Sequence, residues 1–122
     1  MRLSRRLAVT VFAIAAAVAS MGASAHAILV DSSPKANGSV PAGHTALTLK
    51  YNSKIDQGRS KLVLVASDHS ETPLVISSNN DKPNELDSEA TLKPGAYVIH
   101  WQALALDGHI TRGDLAFTVT QP

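Results

Sequence analysis

From Thr45 to Tyr51 apolar and polar side chains alternate, with Leu47, Leu49 and Tyr51 on one side and Ala46, Thr48 and Lys50 on the other. A two-residue period of this kind predicts a strand with one buried and one wet face. The period recurs twice. Tyr97, Ile99 and Trp101 oppose Val98, His100 and Gln102, and Leu115, Phe117 and Val119 oppose Ala116, Thr118 and Thr120. Two shorter runs, 61–66 and 73–77, add strands, whereas Leu86 and Leu92 stand among acidic and polar residues, so 84–92 reads as a ragged edge strand. Turn signals separate these segments: Ser33-Pro34 through Gly38, Pro41-Ala42-Gly43, Asp56-Gln57-Gly58, Asn79 through Pro83, and Pro94-Gly95. No window beyond residue 25 carries sustained helical periodicity with a capping residue. About seven antiparallel strands in one small domain predict an all-β, two-sheet Greek-key sandwich.

The first 25 residues follow a different pattern. Arg2, Arg5 and Arg6 precede an almost wholly apolar stretch from Leu7 to Ala19, and Ala23-Ser24-Ala25 supplies the small residues of a leader-peptide cleavage site. The apolar run, about 13 residues, falls short of the roughly 20 that span a bilayer, so export with cleavage is expected rather than anchoring. Cleavage after Ala23 would place Met21 where a small residue is preferred, which favours cleavage after Ala25. Residues 1–25 are thus read as a signal peptide and residues 26–122 as one exported domain.

Removing the leader changes the charge. The chain holds 11 Lys+Arg against 10 Asp+Glu, but three of the arginines lie in the leader, which leaves 8 against 10. No basic patch then remains to suggest nucleic acid or an anionic membrane surface. Cysteine is absent, which excludes disulfides, a lipid-modified cysteine, thiolate metal ligation and thiol catalysis. The only methionines, Met1 and Met21, depart with the leader, so thioether metal ligation is not expected either.

Cleavage after Ala25 makes His26 the first residue, and its α-amine and imidazole Nδ1 then close a chelate ring that no internal histidine forms. Far along the chain, Leu106-Asp107-Gly108-His109 brings a carboxylate and a second imidazole to a turn, with Gly108 supplying the backbone freedom. If the first strand lies beside a late one, the two ends of the chemistry meet. Three nitrogens and one oxygen, with no sulfur, suit tetragonal Cu(II) first and Ni(II) or Zn(II) less selectively. The other histidines carry less: His100 reads as a partly exposed strand residue, His44 as part of a turn and His69 as part of a polar loop. Trp101 reads as core, and Arg112 and Asp114 as a surface pair or two solvated charges.

The sequence resembles the CopC/PcoC copper-resistance family. The resemblance runs through His26-Ala27-x-Leu29, Ser33-Pro34, Gly38, the Leu47–Tyr51 strand, Pro94-Gly95-x-Tyr97-x-x-x-Trp101, Asp107-Gly108-His109, Gly113, Phe117 and Val119. It implies a periplasmic copper(II) carrier or buffer with a cupredoxin-like, Ig-like barrel, holding one Cu(II) through the His26 amine and imidazole, His109, and Asp107 as a weaker oxygen ligand. It further implies a monomer that delivers to a membrane copper transporter of the CopD type. The chain departs from the family in lacking a methionine-rich loop and in carrying Ile110-Thr111-Arg112 where many members have a nearby proline. Two other readings compete. Copper on an N-terminal histidine also occurs in oxygen-activating polysaccharide monooxygenases, and an exported sandwich can serve as a plain interaction module. The scarcity of aromatics for a polysaccharide platform favours a non-enzymatic carrier.

Overall fold

In the computed structural model, residues 26–122 are described; the expected leader 1–25 and its cleavage lie outside the described residues. Eight strands follow one another: β1 Leu29–Ser33, β2 Ser39–Pro41, β3 Gly43–Tyr51, β4 Lys61–Ala66, β5 Glu71–Leu74, β6 Glu85–Leu92, β7 Gly95–Leu104 and β8 Ile110–Thr120. They form two sheets, a three-stranded one in the order β1-β3-β6 and a five-stranded one in the order β2-β8-β7-β4-β5. The chain changes sheet five times, between β1 and β2, β2 and β3, β3 and β4, β5 and β6, and β6 and β7. The result is an all-β, Ig-like sandwich with no helix among the described residues.

The inward rows are those the alternation marks. Leu47, Leu49 and Tyr51 of β3 face Ile99, Trp101 and Ala103 of β7 and Leu115, Phe117 and Val119 of β8, all buried. Leu62 and Leu64 of β4 and Leu86 and Leu92 of β6 complete the core. Each fully buried side chain of this size contributes roughly 1.5–3 kcal/mol, which is how a disulfide-free domain holds together.

Four expectations need correction. The segment read as ragged is a continuous β6, paired with β3 without a break from Glu85 to Leu92. It is an edge strand, and its buried Ser88 sends its hydroxyl to the Val75 carbonyl at 2.7 Å, so a polar residue occupies an inward position at little cost. The run 73–77 is displaced: pairing with β4 occupies Glu71–Leu74, and beyond it only Ser77 bridges, to Asp87. The strands are not all antiparallel, because β2 runs parallel to β8. Finally, β1 does not lie beside a late strand; it pairs with β3, and it is β2 that borders β8.

Candidate metal centre

His26, Ala27 and Ile28 precede β1 and cross the end of the sandwich. Ala27 is buried and plugs that end, while His26 and Ile28 remain exposed on either side of it. Across from them, β7 and β8 are joined by a tight turn in which the Ala105 N–H donates to the His109 carbonyl at 2.9 Å and the Gly108 N–H to the Ala105 carbonyl at 3.0 Å. Gly108 has φ +91°, a conformation that L side chains rarely adopt, which explains a glycine between the aspartate and the histidine.

The turn and the N-terminal segment meet. The His26 and His109 rings lie with centroids 5.1 Å apart and planes at 78°, edge to face. The encounter that the sequence expected is therefore present, by another route than neighbouring strands. Thr111, at the start of β8, donates from Oγ1 to the Ala27 carbonyl at 2.8 Å and so draws the N-terminal segment to the five-stranded sheet.

Asp107 is turned towards His109. Its Oδ1 accepts the His109 backbone N–H at 3.0 Å, and its Oδ2 lies 3.0 Å from His109 Nδ1. A carboxylate partner requires the proton on Nδ1, which leaves Nε2 as the nitrogen free for a ligand. The imidazole and backbone hydrogen bonds from His109 hold the Asp107 carboxyl below its ordinary value. Among the described residues, no three histidine or acidic side chains are gathered as a finished cage. Two imidazoles and one carboxylate come together here in overlapping pairs, His26 with His109 and Asp107 with His109.

The remaining histidines are elsewhere. His100 is exposed on β7, as read, with Nδ1 against Asp114 Oδ1. Asp114 thus pairs with a histidine, while Arg112 donates to Gln102 Oε1 at 2.9 Å, so of the two readings for Arg112 and Asp114 the mutual pair is not the one found. His44 belongs to β3 rather than a turn and lies 3.1 Å from Glu89 Oε2. His69 occupies an exposed loop with φ +68°. Trp101 lies in the core, its ring edge-to-face with Tyr51 at 5.3 Å.

Sequence reasoning did not single out Thr111 or Asn52 as functional. Asn52 takes the Ile28 N–H on Oδ1 at 2.8 Å and returns its own N–H to the Ile28 carbonyl at 3.0 Å. Neither residue carries a sequence signal, because each acts on a partner distant in the chain.

Comparison with known proteins converges on one family. The CopC domain model matches residues 29–120, which takes in the barrel and the Asp107 turn and stops short of His26. The copper resistance protein C of Xanthomonas campestris pv. juglandis is 30% identical, over 94% of this chain and 96% of that one. Protein YobA of Escherichia coli K12 is 29% identical over 78% of this chain and 79% of its own. Among solved structures, CopC from Methylosinus trichosporium OB3b superposes with a TM-score of 0.70 at 31% identity, covering 79% of this chain and 95% of that one. PcoC, a methionine-rich copper resistance protein from Escherichia coli, gives 0.67 at 25% identity, covering 79% and 100%.

Proposed function

Since the chain belongs to the CopC family of copper resistance proteins, we propose that it is a periplasmic Cu(II) carrier or buffer whose cargo is held by His26, Asp107 and His109. The observation that carries this reading is the approach of the His26 and His109 rings at the end of the barrel. A ligating nitrogen about 2.0 Å from a metal puts its ring centroid roughly 3.2 Å away, so two rings on one ion stand about 4.5 Å apart in cis and about 6.3 Å in trans. The observed 5.1 Å falls within that span.

In this reading His26 binds through its α-amine and imidazole, and His109 through Nε2. Asp107 fixes the His109 ring through Nδ1, and its remaining lone pairs offer the fourth, weaker oxygen donor. One ion binds per chain. Hard amine and carboxylate donors hold Cu(I) poorly, so reduction weakens the site. The α-amine, whose ordinary pKa is about 7.7–8.0, must lose its proton, so uptake near neutrality releases protons and weakens in acid.

Binding without turnover fits the surface. Tyr51, Trp101 and Phe117 are buried and Tyr97 is half-buried, stacked on Phe117 at 5.7 Å, so no exposed aromatic platform for a polysaccharide exists among the described residues. Delivery to a membrane transporter, by a monomer, is the task the family suggests.

Mass spectrometry of exported protein should give His26 as the first residue, and titration of that sample should show one tight Cu(II). His26→Ala, and a variant with one extra residue before His26, should each weaken Cu(II) beyond the roughly 100-fold ceiling seen for groups that merely support a ligand. Unchanged affinity in the extended variant would defeat the chelate.

A further inference from the structure

A terminal residue outside any strand ordinarily frays, and the first strand here begins only at Leu29. His26 nevertheless stands against His109. The cause is in the two residues that follow. Ala27 is buried at 2% exposure, and its carbonyl accepts the Thr111 hydroxyl at 2.8 Å. Ile28 is held on both its polar groups by Asn52, N–H to Oδ1 at 2.8 Å and carbonyl to N–H at 3.0 Å.

These three bonds reach the segment from both sheets. Thr111 belongs to β8 of the five-stranded sheet, and Asn52 directly follows β3 of the three-stranded one. The entry segment is therefore fixed to both walls of the sandwich. We propose that Thr111 and Asn52 are positioning residues that hold the N-terminal histidine against His109 before any metal arrives. Neither touches the metal. Their contribution is to order a flexible terminus in advance, so that binding no longer carries that entropic cost. The Ala27 contact is the stronger part, being partly shielded from water, whereas the Asn52 pair is exposed. The role in metal uptake rests on the copper reading above, but the pre-ordering itself does not.

The test uses processed protein beginning at His26, first without metal. Nuclear Overhauser contacts between the two imidazole rings should be present in the wild type, lost in Thr111→Val, which removes the donor and keeps the size, and restored in Thr111→Ser. With a competing chelator, Cu(II) affinity should fall about tenfold in Thr111→Val and stay within about twofold of wild type in Thr111→Ser, as expected for one hydrogen bond. Should Thr111→Val fail to fold, Asn52→Ala takes its place with the same two measurements and the same expected direction. Ring contacts that persist in the valine variant, or a serine variant that behaves like valine, overturn the proposal. If wild type takes up no Cu(II), the copper reading falls while the metal-free ring contacts still decide the clamp.

Discussion

Asp107 commits both carboxylate oxygens to His109. These hydrogen bonds, the imidazole's foremost, hold its carboxyl below the usual carboxylate range. A depressed carboxylate stabilises the turn above its ordinary titration range and loses that contribution as pH falls through its lowered value. Between about pH 5 and 7 it therefore stays charged. In the proposed site Asp107→Asn should accordingly weaken Cu(II) by about 10- to 100-fold at every pH from about 5 to 7, leaving the slope of log affinity against pH unchanged, as titrations at several pH values would show. Gly108 offers a cleaner backbone test. A Cβ there meets nothing within 4 Å, so Gly108→Ala costs only the left-handed strain, about 1–2 kcal/mol, visible as a lower melting temperature. The aspartate, glycine and histidine were legible in the sequence because their chemistry is local. Thr111 was not, since the carbonyl it holds lies 84 residues away and only the fold brings the two together.

The same contrast holds for the strands. β3, β7 and β8 were legible because each puts three large apolar residues on one face at period two. β6 hid its pattern by placing serine and alanine at inward positions between Leu86 and Leu92, and β5 was misplaced because Glu71 and Thr72 pair at a wet edge while the apolar Val75 is left exposed. Pairing of β7 with β8 sets Gly113 opposite Trp101, and the indole occupies the space a side chain would need. A Cβ on Gly113 would lie 2.4 Å from Trp101 Cζ2 and 2.6 Å from Cε2. Gly113→Ala should force the ring aside at about 1–3 kcal/mol, read as a lower denaturant midpoint together with a red-shifted tryptophan emission.

At the scale of the whole molecule, one core without disulfides must keep both sheets together across the pH range of use. Tyr51 lies in that core at 1% exposure, its hydroxyl without a hydrogen-bond partner among the described residues, and burial pushes its pKa up. An unfolded tyrosine ionises near 10, so Tyr51 adds stability below that pH and loses it as the pH climbs further. Melting temperatures measured from about pH 8 to 11 should therefore fall less steeply in Tyr51→Phe than in the wild type. The sandwich itself was legible, but not that eight strands would divide three and five with a parallel pair at β2 and β8, since neighbours in a sheet are chosen by chain crossings that no local period records. The longest strand, β8, starts beside His109 and ends eleven residues later at Thr120, a rise of about 33 Å. Whatever follows Thr120 consequently leaves from the far pole, so under the proposed chelate a tether, dye or fused module attached there would leave ion capture untouched, whereas the smallest tag ahead of His26 would silence a perfectly folded molecule.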